Sequence, residues 1–381
     1  MSTASMLSDH PWTQEAPRLI WPVAWWPDRD RETWLAARQG TGPEGLDNPA
    51  KYWSERTVKK NQDGYGRYVS WLARNGILSD AEPLAARITP ERVAAYVAAL
   101  KATLAPVSVA MTVGALCSSA KALAPTHDWS WLSLRYSRLK FRAKPSREKR
   151  HVVQHTLDLY RFGKHLMETA DEAPGEKIMP ALRYQAGLII ALLAARPLRI
   201  RNFQALTVGK SLRWDGQRYW LTFSGEETKT GGPIDEPLPD DLIPYLEAFL
   251  KIRRPVLLQR ASKFGNDVTH RRLWLSREGK AMREYTLREL IERYTEKEFG
   301  KALWPHLFRD CLLTSVAIDQ PDLMKISATL LGHSSPVTGE KHYNQARMLD
   351  AGRRYAATVS EMRDEFLGTA RAPRRDAKRQ P

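Results

Sequence analysis

Between Arg138 and Arg150 the chain reads Arg-Leu-Lys-Phe-Arg-Ala-Lys-Pro-Ser-Arg-Glu-Lys-Arg, seven basic residues with no periodic apolar stripe, set between two long regions that have one. Such a segment has little to bury, so no single core can close across it, and two bodies joined by a linker are expected. The length agrees, because 381 residues exceed what one hydrophobic core commonly organises. The plainer alternative for the stretch is a solvated charge run; joining two candidate nucleic-acid-binding bodies, it becomes a linker suited to lie along a phosphate backbone.

The rest of the chain organises around this break. Residues 1–47 form a Trp/Pro-rich extension in which Trp12, Trp21, Trp25, Trp26 and Trp34 alternate with Pro11, Pro17, Pro22 and Pro27, a pattern too broken for a long helix. Its indoles either pack on their own protein or serve an arm that docks on a partner or on DNA. Residues 48–137 read as an all-helical module. Trp53, Val58, Tyr65, Tyr68, Val69 and Leu72 recur at mostly helical spacing until Asn75-Gly76, Thr89-Pro90 caps a second helix, and Val107 to Leu123 forms a third.

Residues 138–151 are the basic linker and residues 152–367 a second domain. There, helices through Leu157, Tyr160, Leu166 and the apolar run Ala186 to Ala195 give way to strands. Ser211 to Trp214 and Arg218 to Phe223 flank the turn pair Asp215-Gly216, and a third strand is expected around Ile234 to Pro237. Lys229 then sits in the loop leading to the third strand. Helices resume at Pro239-Asp240-Asp241 and continue with interruptions. Residues 368–381 carry five basic residues, two prolines and one acid, and are expected to form a disordered basic tail. The fold class is therefore mainly α with a small antiparallel β-sheet, an N-terminal helical domain followed by an α+β domain.

A formal net charge of +16 and a pI near 9.8 favour a polyanionic partner such as nucleic acid or an anionic membrane surface. The longest apolar run, Ala186 to Ala195, is about half the ~20 residues of a membrane span, and reads as a buried helix rather than a membrane segment. The N-terminus lacks the basic and apolar regions of a secretory signal, so a cytoplasmic protein is expected. Cys117 and Cys311 are far apart and in no metal-ligand spacing, which suits packed thiols.

Five islands in the second half carry the chemistry: Leu198-Arg199-Ile200, Lys229, His306-Leu307-Phe308-Arg309, Leu331-Gly332-His333 and Tyr343. Together they are a set for phosphoryl transfer to a tyrosine. A phenol with an ordinary pKa near ~10 is mostly protonated at neutral pH and needs positive charge around the phosphate it attacks. Guanidinium groups stay charged and bind two phosphate oxygens at once, so Arg199 and Arg309 are the candidates. His306 and Arg309 are three apart and share a face if helical. Lys229 is the preferred general acid for the leaving oxygen, aided by His306, with His333 hydrogen-bonding a phosphate oxygen. Taken singly, each histidine is most simply structural and Tyr343 a packed tyrosine. Zinc ligation by His306, Cys311, His333 and His342 lacks paired-ligand spacing.

In this order the islands resemble the tyrosine recombinases, or phage-type integrases, including the Xer-like site-specific recombinases. The matching segments are Pro197-Leu198-Arg199-Ile200 with Ala205-Leu206, the hairpin lysine Lys229, Pro305-His306-Leu307-Phe308-Arg309, Leu331-Gly332-His333-Ser334-Ser335 and Tyr343. The helical module before the linker is similar to the family's core-binding (SAM-like) domain, so the match spans roughly residues 50 to 365. The resemblance implies that Arg199, His306, Arg309 and His333 activate the scissile phosphate, that Lys229 protonates the leaving 5′ oxygen, and that Tyr343 becomes a 3′-phosphotyrosine. It implies no cofactor and no metal. As partners it implies double-stranded DNA carrying recombination sites and further copies of the chain in a tetrameric synapse, on which Arg353 to Phe366 would dock as a C-terminal helix.

The sequence departs from the family where Asn202 replaces a commonly acidic residue and Arg201 adds a charge. Arg196 and Arg201 are alternatives for the role of Arg199. The interval from His333 to Tyr343 is ten residues, one more than usual, with Tyr355 as the nearby competitor. Other functions open at this stage are a type IB topoisomerase-like relaxing enzyme and a catalytically silent DNA-binding regulator with the same fold.

Overall fold

The computed structural model describes residues 19–40, 48–144 and 151–320, together with Thr358, Val359 and Met362. The chain divides into two compact units, one ending at Glu148 and one beginning at Lys149. The protein is mainly α-helical with one small antiparallel sheet: the first unit is helical in its described residues and the second is α+β. The basic tail lies outside the described residues.

The first unit contains α1 (Asp28–Gln39), α2 (Glu55–Arg74), α3 (Pro90–Lys101), α4 (Pro106–Leu123) and α5 (Ser130–Arg142). Local chemistry sets the starts of α2 and α3. The Ser54 hydroxyl accepts from the Thr57 N–H, and the Thr89 hydroxyl from the Arg92 N–H, ahead of Pro90 at the first helical position. Helix α4 is long and apolar enough to cross a membrane by length and composition, yet 61% of that window is buried as it packs with α2 and α5.

The described part of the Trp/Pro-rich extension belongs to this core. Trp21, Trp26 and Trp34 are buried in it, and the Trp26 ring meets Trp34 at 5.5 Å and Tyr65 at 4.8 Å, both edge-on. The Trp21 N–H donates to the Gly66 carbonyl of α2 at 3.2 Å. That approach depends on Gly66, where a Cβ would lie 2.2 Å from the Trp21 carbonyl oxygen. The segment also differs from its expectation as broken chain, because it supplies α1. Pro11, Pro17, Pro22 and Pro27 all precede Asp28 and Pro43 follows Gln39 in the sequence; Pro27 occupies the cap, where its carbonyl accepts the Arg31 N–H and its missing N–H costs no helical bond.

A second difference concerns the basic stretch. Helix α5 runs to Arg142, so residues 138–142 extend a helix instead of starting the linker. Its last turn carries Lys140 and Arg142, where cations complement the negative helix end, and Phe141 projects outward.

The second unit opens with α6 (Thr156–Glu168) and α7 (Met179–Ala195), which pack together. Residues Ala186 to Ala194 are all buried, as an apolar run bounded on every side requires. After α8 (Ile200–Gln204) come β1 (Leu212–Trp214), β2 (Tyr219–Phe223) and β3 (Ile234–Pro237), antiparallel in the order β1-β2-β3. Trp214 faces Tyr219 across the Asp215-Gly216 turn, where Gly216 adopts φ 104° and the Asp215 carboxylate accepts from the N–H groups of Gln217 and Arg218. Phe223 pairs with Ile234, fixing the register of β3.

A helical stretch over 243–263 follows, then α9 (Glu284–Phe299) and α10 (Leu307–Asp319). Between the 243–263 stretch and α9, where helices with interruptions are expected, the chain is partly extended and makes isolated bridges from Thr207 to Arg272 and from Leu275 to Ala281. Trp274 anchors this segment by donating its indole N–H to the Phe203 carbonyl at 2.9 Å.

Candidate active site

Within the second unit, the turn between α7 and α8, the loop before β3, β3 itself and the first turn of α10 enclose a cavity of about 530 Å³. Its lining includes Arg196, Arg199, Thr228, Thr230, Glu236 and Arg309. Of the residues expected from sequence, Arg199 and Arg309 are therefore brought together, although 110 positions separate them in the chain.

Arg199 stands at the cap of α8 in an extended conformation, which directs it away from the helix, and its Nη1 donates to the Thr230 hydroxyl at 3.5 Å. Arg309 is buried in the first turn of α10, where its Nη1 donates to the Pro197 carbonyl at 2.8 Å. This bond ties α10 to the turn that carries Arg199. Burial, and next the like charge of Arg199, bring the Arg309 guanidinium down to about 10, with Glu236 and Asp310 opposing. It stays protonated at neutral pH. Two cations held against one another beside a cavity make a seat for an anion, in a setting where water screens them weakly.

The alternatives to Arg199 are placed differently, Arg196 on the wall of the same cavity and Arg201 outside its lining. Arg196 donates from Nε to the Pro237 carbonyl at 3.2 Å and from Nη1 to the Ala195 carbonyl at 3.0 Å, with Glu236 Oε2 3.5 Å from Nε. Its guanidinium is turned onto β3. Arg201 is exposed and outside the cavity lining.

Lys229 is exposed, and the threonines on either side of it line the cavity. Its loop is built by short-range bonds. Ser224 and Glu227 form a reciprocal capping box, and the Thr228 hydroxyl bonds the carbonyls of Gly225 and Gly232 at 3.0 and 2.8 Å. The loop pinches shut at Gly225, where a Cβ would stand 2.3 Å from the Gly231 carbonyl oxygen. Asn202, the residue replacing a commonly acidic one, is buried and donates its amide to the Glu227 carbonyl at 3.1 Å. It thereby fastens α8 to the Lys229 loop, a task a carboxylate, having no donor, would not perform.

His306 has helical dihedrals immediately before α10, so the three-residue spacing to Arg309 holds. The two differ in exposure, however: His306 is exposed and lies outside the cavity lining, whereas Arg309 is buried. His333, Tyr343 and the competitor Tyr355 lie outside the described residues, as does His342. Among the described residues no group of three or more His, Cys, Asp or Glu side chains is placed to hold a metal ion. Cys117 and Cys311 are both buried free thiols. Burial pushes the Cys311 thiol up to about 12, and its sulfur accepts the Gln154 N–H.

Four polar residues of the cavity lining, Thr228, Thr230, Asp235 and Glu236, are not among the site residues expected from sequence. Thr230 receives Arg199, and Glu236 faces Arg196. The available signal for Glu236 is alternation: on β3 it shares a face with Ile234, while the Asp235 carboxylate accepts from Thr222 on β2. An acid in register with an apolar residue is an inward-facing acid.

The crystal structure of XerA recombinase is similar to this chain at 16% identity and a TM-score of 0.36, over 85% of this chain and 97% of the recombinase. No family model matches the sequence. No curated protein does either.

Proposed function

We propose that the protein breaks and rejoins DNA strands by transesterification, and specifically that it is a site-specific tyrosine recombinase. The observation that carries the reading is the meeting of Arg199 and Arg309 in one cavity bordered by the loop of Lys229. In this reading the two guanidinium groups grip the non-bridging oxygens of a phosphodiester and stabilise the charge that builds on them. The Tyr343 phenol attacks phosphorus; the bond to the 5′ oxygen breaks, and Lys229 delivers a proton to that oxygen. A 3′-phosphotyrosine retains the ester, so rejoining is the same step reversed with another 5′ hydroxyl. His306 and His333 assist at the phosphate. Double-stranded DNA with recombination sites, a cytoplasmic setting and a homotetramer on paired sites belong to the same proposal.

The test uses the full chain and a pool of nicked duplexes with a randomised core, in which cleavage releases a short strand and traps the enzyme. After denaturation, wild type should carry covalently bound DNA and Tyr343→Phe none. Trapping retained by Tyr343→Phe would sink the nucleophile assignment. No trapping by wild type would leave a silent DNA-binding regulator, and relaxation of plasmids lacking paired sites would favour a type IB topoisomerase-like enzyme.

A further inference from the structure

The cavity holds three guanidinium groups and one half-buried carboxylate, Glu236, whose ion-pair partner is Arg196 while Arg309 lies within its electrostatic reach. Glu236 Oε2 lies 3.5 Å from Arg196 Nε, and Arg196 is itself fastened to the carbonyls of Pro237 and Ala195. Two backbone carbonyls and one carboxylate thus hold this arginine on the wall that includes β3. Asp235 also lines the cavity and Asp310 also supports the charge of Arg309, but Glu236 is the acid paired with Arg196. With it, one of the three guanidinium groups is neutralised and directed away from the seat, and Arg199 and Arg309 are left facing the cavity.

We infer that Glu236 is a positioning residue of this site: its carboxylate pins Arg196 to β3 and offsets the repulsion among the three guanidinium groups, so that Arg199 and Arg309 stand ready for one phosphodiester. The inference rests on the phosphoryl-transfer reading. Burial raises the Glu236 carboxyl above its ordinary range, Arg196 and then Arg309 oppose that rise, and Glu236 in turn supports the charge of Arg309. The acid is half-buried, with 21% of its side chain exposed. It is held by a residue that two carbonyls already fix, so it is part of the wall rather than a mobile plug.

Glu236→Gln keeps the shape and a hydrogen-bonding end while removing the charge, and Glu236→Asp restores the charge on a shorter arm. With the duplex selected by wild type, the single-turnover cleavage rate of Glu236→Gln at saturating DNA should fall by about tenfold or more, equivalent to about 1.4 kcal/mol. Its Kd for that duplex should hold near the wild-type value, because affinity is set by many phosphate contacts and not by this one. Glu236→Asp should recover part of the rate. Cleavage by Glu236→Gln that equals or exceeds wild type overturns the inference, the faster case marking the carboxylate as a competitor of phosphate.

Should wild type trap no DNA, the recombinase reading fails separately, and inorganic sulfate becomes the probe. Sulfate should then raise the Tm of wild type more than that of Glu236→Gln, with the difference abolished in an Arg199→Ala background. An equal or larger shift in Glu236→Gln overturns the positioning role on its own.

Discussion

Each unit buries an arginine, and the two are handled in opposite ways. In the first, Arg87 is 1% exposed and Asp30 2%; the Arg87 Nη1 pairs with the Asp30 carboxylate, which also accepts the Tyr65 hydroxyl at 2.6 Å. The Arg87 Nε donates to the Glu82 carbonyl, and the Arg87 carbonyl accepts the Tyr68 hydroxyl. Charge is met by opposite charge, and the cluster joins α1, α2 and the turn over Leu84–Arg87 into one body. In the second unit Arg309, 5% exposed, is held by a carbonyl beside a cavity, and after burial the strongest influence on it is the like charge of Arg199. A buried cation answered by an acid is architecture. A buried cation set close to another cation on the wall of a cavity, with Glu236 and Asp310 as the acids acting on it, marks a candidate anion site.

The sharpest way to break this contrast is to remove each arginine and ask what is lost. Arg87→Met leaves Asp30 buried without its counter-ion and should cost about 3–5 kcal/mol of stability. Urea unfolding followed by the fluorescence of the buried tryptophans would measure it, and a loss under about 1 kcal/mol, the size of an exposed ion pair, would show that the cluster is not structural. Pairing Arg87→Met with Asp30→Leu should restore much of the loss, because no charge is then stranded.

Arg309→Lys should give the converse result. A lysine cannot grip two oxygens from a rigid fork, so strand cleavage should drop by about 10²–10³-fold, or about 3–4 kcal/mol of barrier. Stability should fall by less than Arg87→Met costs, since lysine keeps a positive charge beside Glu236 and Asp310. A variant that unfolds readily while the folded fraction cleaves normally would place Arg309 in the same class as Arg87.

The same division between local and long-range chemistry explains what the sequence discloses. Asp215-Gly216 announces its hairpin because the turn is made by those two residues and their neighbours, and Thr89-Pro90 announces a helix start for the same reason. The placing of Lys229 follows from the hairpin, being a matter of counting residues between strands. Arg199 and Arg309 are legible as residue types suited to phosphate, but their meeting depends on the packing of α10 against the turn before α8. The pairs Asp30 with Arg87 and Arg196 with Glu236 are silent in the sequence. Their partners are 57 and 40 positions apart, and nothing local distinguishes them from surface charges. The N-terminal tryptophans lie between these cases: their number signals burial, whereas the surface that buries them is α2, identified by the missing Cβ of Gly66.

The smallest expected effect separates the acids that serve the two sites. Glu236 faces Arg196 and Arg309, yet burial outweighs both and its carboxyl is held above the ordinary carboxylate range. The folded protein therefore binds more protons at this position than the unfolded chain does, between the ordinary value and the raised one. In that window the contribution of Glu236 to stability falls as pH rises and is regained as pH falls through the folded value. Measured as Tm against pH, Glu236→Gln should be favoured over wild type above the window, and the difference should close on acidification towards the ordinary carboxylate value. A difference that widens on acidification would mean that the ion pair with Arg196 outweighs the burial of Glu236. Glu236, like Asp30, would then serve as a plain counter-ion, and the contrast between a structural cluster and a poised one would rest on Arg199 and Arg309 alone.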